Sequence, residues 1–438
     1  MPKPFHLGWF LQGSSVQAWA EPFTGAIGRD WMVPELFCDL ARHLERACFD
    51  YVLIEDSSYV GESYGGSREI YLKHGLAVPR QDPAITATLM AAATKRIGIV
   101  PTFATFTHPP YLLARMIASL DQISSGRIGW NMVTGSSDVA ARNYGLPQLP
   151  DHDVRYDMAD EYMQAVNGLW DSWEPGAIIA DEESGVLVDH TKVHAVDFEG
   201  KWYRTHGPLN SGPCPQGRPV IAQAGGSPRG RQFAAANADT IVASIKGTAA
   251  MKAYRDDVRA RAAAAGRNPD HVKLLFLVNP IIAGSRAEAE AKKQARIARA
   301  EAQVPQLLAF FGKITNIDFA QYDLDAPVDT LDLRTNGHQQ SLDDFKRVAG
   351  KKSLREAMLS YRGTSGSVEL MGTPDDVAAQ MAEAMEEVGG DGFLFSMGDV
   401  SRRTIAEVAD GLVPALQCRG LTRRAYTYEQ FRDNLREF

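Results

Sequence analysis

The chain has 438 residues, with 46 Lys+Arg against 54 Asp+Glu and a net charge of −8. A composition 45% hydrophobic and 23% charged is that of a folded globular protein, and excludes a disordered, collagen-like or disulfide-scaffold chain. The mild acidity, without any Lys/Arg-rich run, argues against an electrostatic nucleic-acid footprint.

In chain order, the opening MPKPFHLGWFLQG lacks the apolar stretch of a signal peptide, and no later window approaches the roughly 18 apolar residues of a spanning helix. Cys38, Cys48, Cys214 and Cys418 form no CxxC pair, which fits a reducing compartment, so a cytoplasmic protein is expected. Apolar, β-branched and aromatic runs predict strands over 6–12, 51–56, 96–104, 128–134, 219–225, 239–245, 272–283 and 392–398. Between them, Leu36, Leu40, Leu44 and Cys48 predict an amphipathic helix over 34–48, and Met158, Tyr162, Val166 and Leu169 one over 155–172. An Ala/Lys/Glu-rich helix is expected near 285–303. Thr373 and Pro374 fit the N-cap and first position of a helix whose buried face is Val377, Met381, Met385 and Val388.

Eight strands alternating with helices predict an α/β fold, a closed (β/α)8 TIM barrel; an open doubly wound sheet is the alternative. At about 150 residues per domain the length suggests about three domains, but barrels can exceed roughly 400 residues as one. A single domain over 1–438 is therefore expected, with long insertions within about 135–218 and 284–391. The second includes the polar stretch YDLDAPVDTLDLRTNGHQQ, expected to be irregular. Such insertions usually serve as lids, binding loops or assembly contacts.

The chain has no P-loop, no dinucleotide fingerprint, no nucleophile elbow and no HExxH. His190 and His194 have the spacing of helical metal ligands, but their surroundings read as loop and strand, so no metal is expected. In a barrel the active site lies at the C-terminal strand ends. Those ends carry Trp9, Phe10, Asp56, Thr102, Thr105, Asn131, Thr134, Gln223, Ser227 and Ser244, a mouth with aromatic walls and neutral hydrogen-bonding groups. Such a lining suits a large, flat, polar-edged cofactor. After the fifth strand, GGSPRGRQFAAANAD offers a phosphate cradle: close-approaching glycines, the Ser227 hydroxyl and a helix N-terminus. Equally, Ser227 is an ordinary N-cap in a Gly-rich turn. His152, Arg155 and Tyr156 are placed to close over the same site; the plainer alternative is that Asp153 caps the helix while His152 and Tyr156 lie on the surface.

Three runs, HPPYLLARMIASLDQISSGRIGWNMVTG, DHDVRYDMADEYMQAVNGLWDSW and GPCPQGRPVIAQAGGSPRGRQFAAANAD, strongly resemble the luciferase-like FMN-dependent monooxygenases. The branch is that of nitrilotriacetate and dibenzothiophene sulfone monooxygenases, and the similarity extends from LERACFDYVLIEDS to VPALQCRGLTRRAY. The resemblance implies an insertion-bearing barrel that uses reduced FMN from a separate flavin reductase, and O2. Attack of O2 on the flavin would give a C4a-(hydro)peroxide that oxygenates a small organosulfur or amine-type substrate. It places flavin contacts on Asp56, Thr102, Asn131, His152, Tyr156 and Ser227, with His152, Tyr156 and Ser227 at the phosphate. Trp9, Leu53 and Val242 match the substrate-side wall, although plain packing explains each equally well. No catalytic residue is assigned. A homodimer or homotetramer is implied. Gly135 stands where relatives usually carry Ser, with Ser136 and Ser137 following, so one contact is lost or shifted. The FTHPP and VGESYGGSREIYLKHGLAVPRQ segments also depart from the pattern, which leaves the substrate open. On the same fold, a deazaflavin-dependent hydride-transfer oxidoreductase and a non-catalytic flavin-binding barrel are the alternatives.

Overall fold

The computed structural model describes residues 3–12, 33–362, 366–398 and 400–438. Eight parallel strands close into a barrel: β1 (His6–Leu11), β2 (Tyr51–Ile54), β3 (Gly98–Ala104), β4 (Gly129–Val133), β5 (Val220–Gln223), β6 (Thr240–Ala243), β7 (Lys273–Val278) and β8 (Gly392–Phe395). Each follows its predecessor around the ring, and β8 returns to β1 with His6 opposite Gly392. All eight predicted strands are present, which decides for the closed barrel over the open sheet. The run 272–283 is divided: Pro280 has no N–H to offer a ladder, and Ile281–Ile282 leaves the barrel to pair with Met371–Gly372.

The strands are mostly apolar because both faces are buried, with polar residues such as Thr102, Asn131 and Gln223 near their C-terminal ends. Outward side chains such as Leu7, Trp9, Val52, Ile99, Trp130 and Met132 pack under the surrounding helices. Inward ones, among them Tyr51, Leu53, Val100, Val220, Leu275 and Leu394, fill the barrel. Its N-terminal end is plugged by Phe431 and Leu435, from a short helix Phe431–Leu435. Glycine makes room for that plug: a Cβ on Gly98 would lie 2.6 Å from the Phe431 ring.

The helices follow their sequence signals. In α1 (Pro34–Arg46), Leu36, Leu40 and Leu44 are buried, and Cys48 lies just beyond its end at φ 60°. Next come α2 (Pro83–Ala93), α3 (Pro110–Ile123) and α4 (His152–Trp170), the last starting three residues earlier than predicted. In α4, Tyr162, Val166 and Leu169 are buried, while Met158 is only half-buried and Ala159 takes the inner position. Then follow α5 (Pro228–Asn237), α6 (Thr248–Ala264), α7 (Arg286–Ala302), α8 (Val304–Thr315), α9 (Gln339–Ala349), α10 (Leu354–Arg362) and α11 (Pro374–Val388). Thr373 and Asp376 form a reciprocal capping box on α11, whose predicted face is buried.

The interval 135–218 holds α4, a short helix Asp138–Asn143 and two exposed antiparallel hairpins. Residues 304–361 build a second apolar cluster, with Phe311 in ring contact with Phe319, Phe345 and Tyr361. The polar stretch expected to be irregular is partly ordered by it: Val328 and Leu333 are buried there, and 319–321 and 328–330 are 3-10 turns. No helix among the described residues is long and apolar enough to cross a membrane.

Candidate active site

The C-terminal strand ends open into a cavity of about 570 Å³, roofed by the second cluster through Phe310, Lys313, Ile314, His338 and Gln340. Asp56, Thr102, Asn131, His152, Tyr156 and Ser227 all line this one space. They form two groups.

The first group sits where α4 and α5 begin. Ser227 is the N-cap of α5 and accepts from Gly230 N at 3.0 Å, so the plainer expectation of an N-cap holds. Its Oγ is also 3.3 Å from His152 Nε2. Asp153 does not cap α4; Asp151 stands at the N-cap and its side chain bonds nothing there. Asp153 instead accepts from His152 Nδ1 at 2.7 Å, which holds the ring with Nε2 towards Ser227. Tyr156 is buried, not on the surface: its ring lies against Phe233 and His152, and its OH is 3.4 Å from Gln223 Nε2. The close approach of backbone requires Gly225, where a Cβ would lie 2.5 Å from Gly230 O. Arg155 is buried beside them and donates to Pro150 O and to both Oδ1 and O of Asn336, tying the roof to α4. The His152 ring, the Ser227 hydroxyl and the Tyr156 phenol, gathered where α4 and α5 begin, suit a phosphate, although Pro228 has no N–H and Gly230 N is taken by Ser227.

The second group lines the barrel rim. Asn131 Nδ2 donates to Thr102 Oγ1 at 2.8 Å, while Asn131 Oδ1 and Gln223 Oε1 are buried acceptors without a partner among the described residues. A buried orphan acceptor costs about 1–3 kcal/mol, so the site fits a planar ligand that brings N–H donors. Burial pushes the Asp56 carboxyl up to about 6, with Arg80 opposing and Glu55 reinforcing the shift. Arg80 donates to Glu55 Oε2 at 2.9 Å and lies 3.9 Å from Asp56.

The proposed substrate wall is less well placed. Val242 lines the cavity. Trp9 does not: strand alternation turns it outward against Phe49 and Phe395, and Phe10 faces the cavity in its place. Leu53 points inward but lies below the cavity, opposite Phe10 and Val100 in the barrel core. Gly135 has φ 86°, and a Cβ there would lie 2.5 Å from the Phe106 ring. A serine is thus disfavoured at this position; Ser136 and Ser137 line the cavity, and Ser137 caps the helix Asp138–Asn143. His194 is 2.6 Å from Glu174 and His190 lies in a 3-10 turn; no metal-holding cluster occurs among the described residues.

Three cations in the wall escaped the sequence reading, Arg80, Lys246 and Lys313. Lys313 interrupts the apolar run VPQLLAFFGKIT, and the residue is 4% exposed. Burial brings its ammonium down to about 7, and its Nζ donates to Ser57 Oγ at 2.6 Å. A charged residue inside an apolar helix run was the available signal.

The family model described as luciferase-like monooxygenase matches residues 11–392. The dibenzothiophene-sulfone monooxygenase of Rhodococcus erythropolis (strain XP) is 35% identical over 443 residues, covering 99% of this chain and 96% of the relative. The nitrilotriacetate monooxygenase component A of Aminobacter aminovorans is 31% identical, covering 99% of this chain and 96% of the relative. Among solved structures, a riboflavin lyase with modified FMN and riboflavin superposes with a TM-score of 0.88 at 31% identity, covering 100% of this chain and 96% of that one.

Proposed function

Because this chain belongs to the luciferase-like monooxygenase family, we propose that it is the oxygenating component of a two-component system that uses reduced FMN and O2. The substrate class is a small organosulfur or amine-type compound. One observation carries this reading: a single roofed cavity holds a phosphate-suited helix start at one side and two orphaned buried acceptors at the other. Those two ends match the two chemically distinct ends of FMN.

His152, Tyr156 and Ser227 would hold the phosphate, while Asp56, Thr102 and Asn131 would meet the ring system. When bound, the reduced flavin supplies activation of O2 for transfer of one oxygen atom to the substrate. The protein's own part is binding, orientation and exclusion of water. The Asn131 and Gln223 carbonyls orient the ring edge, Val242 and Phe10 bound the space beside it, and the roof over 304–361 keeps it dry. Transient delivery of flavin by a separate reductase is supported by the component name of the nitrilotriacetate relative. A cytoplasmic homodimer or homotetramer belongs to the same proposal.

The test is a titration with reduced FMN, followed by O2 uptake and product masses across organosulfur and secondary-amine compounds with NADH and a generic flavin reductase. Micromolar binding and products heavier by one oxygen, or cleaved after its addition, are expected. Absence of binding by either redox form of FMN sinks the proposal, and binding without O2 use turns it towards hydride transfer.

A further inference from the structure

Lys313 is a cation buried without a counter-ion in contact. The residue is 4% exposed and lines the cavity from the roof helix α8. Its ammonium donates to the neutral Ser57 hydroxyl at 2.6 Å and sits 4.3 Å from the centre of the Tyr59 ring. Tyr59 in turn donates its OH to Lys313 O at 2.9 Å, fixing the two residues together. No carboxylate lies within ion-pair distance of this ammonium among the described residues. Arg80, on the same wall, is by contrast matched by Glu55 at 2.9 Å with Asp56 at 3.9 Å.

An ammonium carries three N–H donors. Ser57 takes one and the aromatic face accepts charge without consuming another in line, so donor capacity remains on the cavity side. Keeping such a group charged while desolvated is costly, which is why burial brings it down to about 7; an anionic ligand would supply the missing charge and hold the proton on it. The ligand is not the cofactor phosphate already accounted for. Lys313 sits beside the residues that follow β2, whereas His152, Tyr156 and Ser227 lie at the helices around β5, and β3 and β4 stand between those strands in the ring.

We propose that Lys313 anchors a carboxylate on the substrate, so that this protein takes acidic compounds in preference to neutral ones. The proposal deepens the monooxygenase reading and rests on it only for the identity of the bound molecule as substrate. Glu55, Asp56 and Arg80 are the other charged groups nearest the ammonium in effect, and Arg80 engages both carboxylates. Arg155 is held by Pro150 and Asn336, and Lys246 donates to Gly366 O at 2.6 Å, so among the described cations lining the cavity Lys313 keeps donor capacity for an incoming anion.

Matched acid and ester probes test this: (benzylthio)acetate and (methylthio)acetate, each against its methyl ester, with wild type, Lys313→Met and Lys313→Arg. Calorimetry on the full-length protein, with and without FMN, reads binding; O2 uptake and product mass with a reductase read turnover. Expected is an acid preference of roughly tenfold or more in wild type, lost in Lys313→Met and largely kept in Lys313→Arg. Equal binding of acid and ester by wild type overturns the proposal, as does an acid preference that survives Lys313→Met, which would leave the lysine a counter-ion to Glu55 and Asp56. No binding of either acid at millimolar concentration also overturns it. Loss of reduced-FMN affinity in Lys313→Met with an unchanged acid-to-ester ratio assigns the lysine to the flavin instead. Lysine-dependent binding of the acids without any oxygenated product sinks the monooxygenase reading and leaves the anchor standing. Retention of the acid preference in Lys313→Arg shows that a folded site, not a collapsed one, is being read.

Discussion

At the residue scale, the phosphate cradle makes the sharpest prediction. Ser227→Ala and Tyr156→Phe each remove a hydrogen bond to a charged group, typically about 1.5–3 kcal/mol, or roughly 10- to 150-fold in reduced-FMN affinity. Flavin titration checks this, and unchanged affinity in both variants refutes the cradle. Asp56 makes a prediction about pH. Its folded carboxyl is raised from 3.8 to about 6, so the native state holds a proton that the unfolded chain gives up between those values. Stability of the flavin-free protein therefore falls as pH rises through that window. Asp56→Asn should remove the loss, a gain of up to about 3 kcal/mol at pH 7 that shrinks towards pH 4 in urea unfolding. At this scale the sequence was informative where chemistry and position coincide: Ser227, His152 and Tyr156 are polar groups at helix starts beside a strand end. It misplaced Trp9, since β1 is apolar on both faces and only the strand's phase tells Trp9 from Phe10.

At the scale of elements, the strands were legible because a sheet buried on both sides needs unbroken apolar runs, and few other elements of six residues do. The roof was only partly legible. Its helices carry a helical period, Val304/Leu308/Phe311 and Leu342/Phe345/Ala349, but the segment between them is held by single anchors such as Val328 and Leu333 spaced through polar sequence. Its place over the cavity predicts that removing part of 320–345 raises the H2O2 formed per flavin consumed, because water then reaches the activated site. A well-folded deletion that keeps its coupling would count against the roof as a water barrier. The capping box on α11 gives a control outside the site. Thr373→Ala should cost about 0.5–2 kcal/mol in denaturant unfolding, while reduced-FMN affinity stays at the wild-type value.

At the scale of the whole molecule, length was the ambiguous quantity. A barrel of this type typically needs about 250 residues, and the excess here lies in the hairpins after α4 and in the helices of the roof. The roof encloses the strand ends and brings Asn336 into contact with Arg155, so the start of α4 and the roof share one bonded network, whereas the second hairpin packs against α4 through Glu161 and Tyr162 and lines no part of the cavity. Relatives named for different substrates match 99% of this chain, barrel and cover alike.

The ring closure has a consequence for how the protein is made. β1 pairs with β8 across almost the entire chain, His6 facing Gly392, and the Phe431 plug follows later still. During synthesis, β1 and the most recently emerged strand therefore present unpaired edges until β8 leaves the ribosome, and edges of that kind invite aggregation. A nascent chain stalled before residue 392 holds an open, sticky half-circle, and its dependence on chaperones should end with the arrival of that last strand.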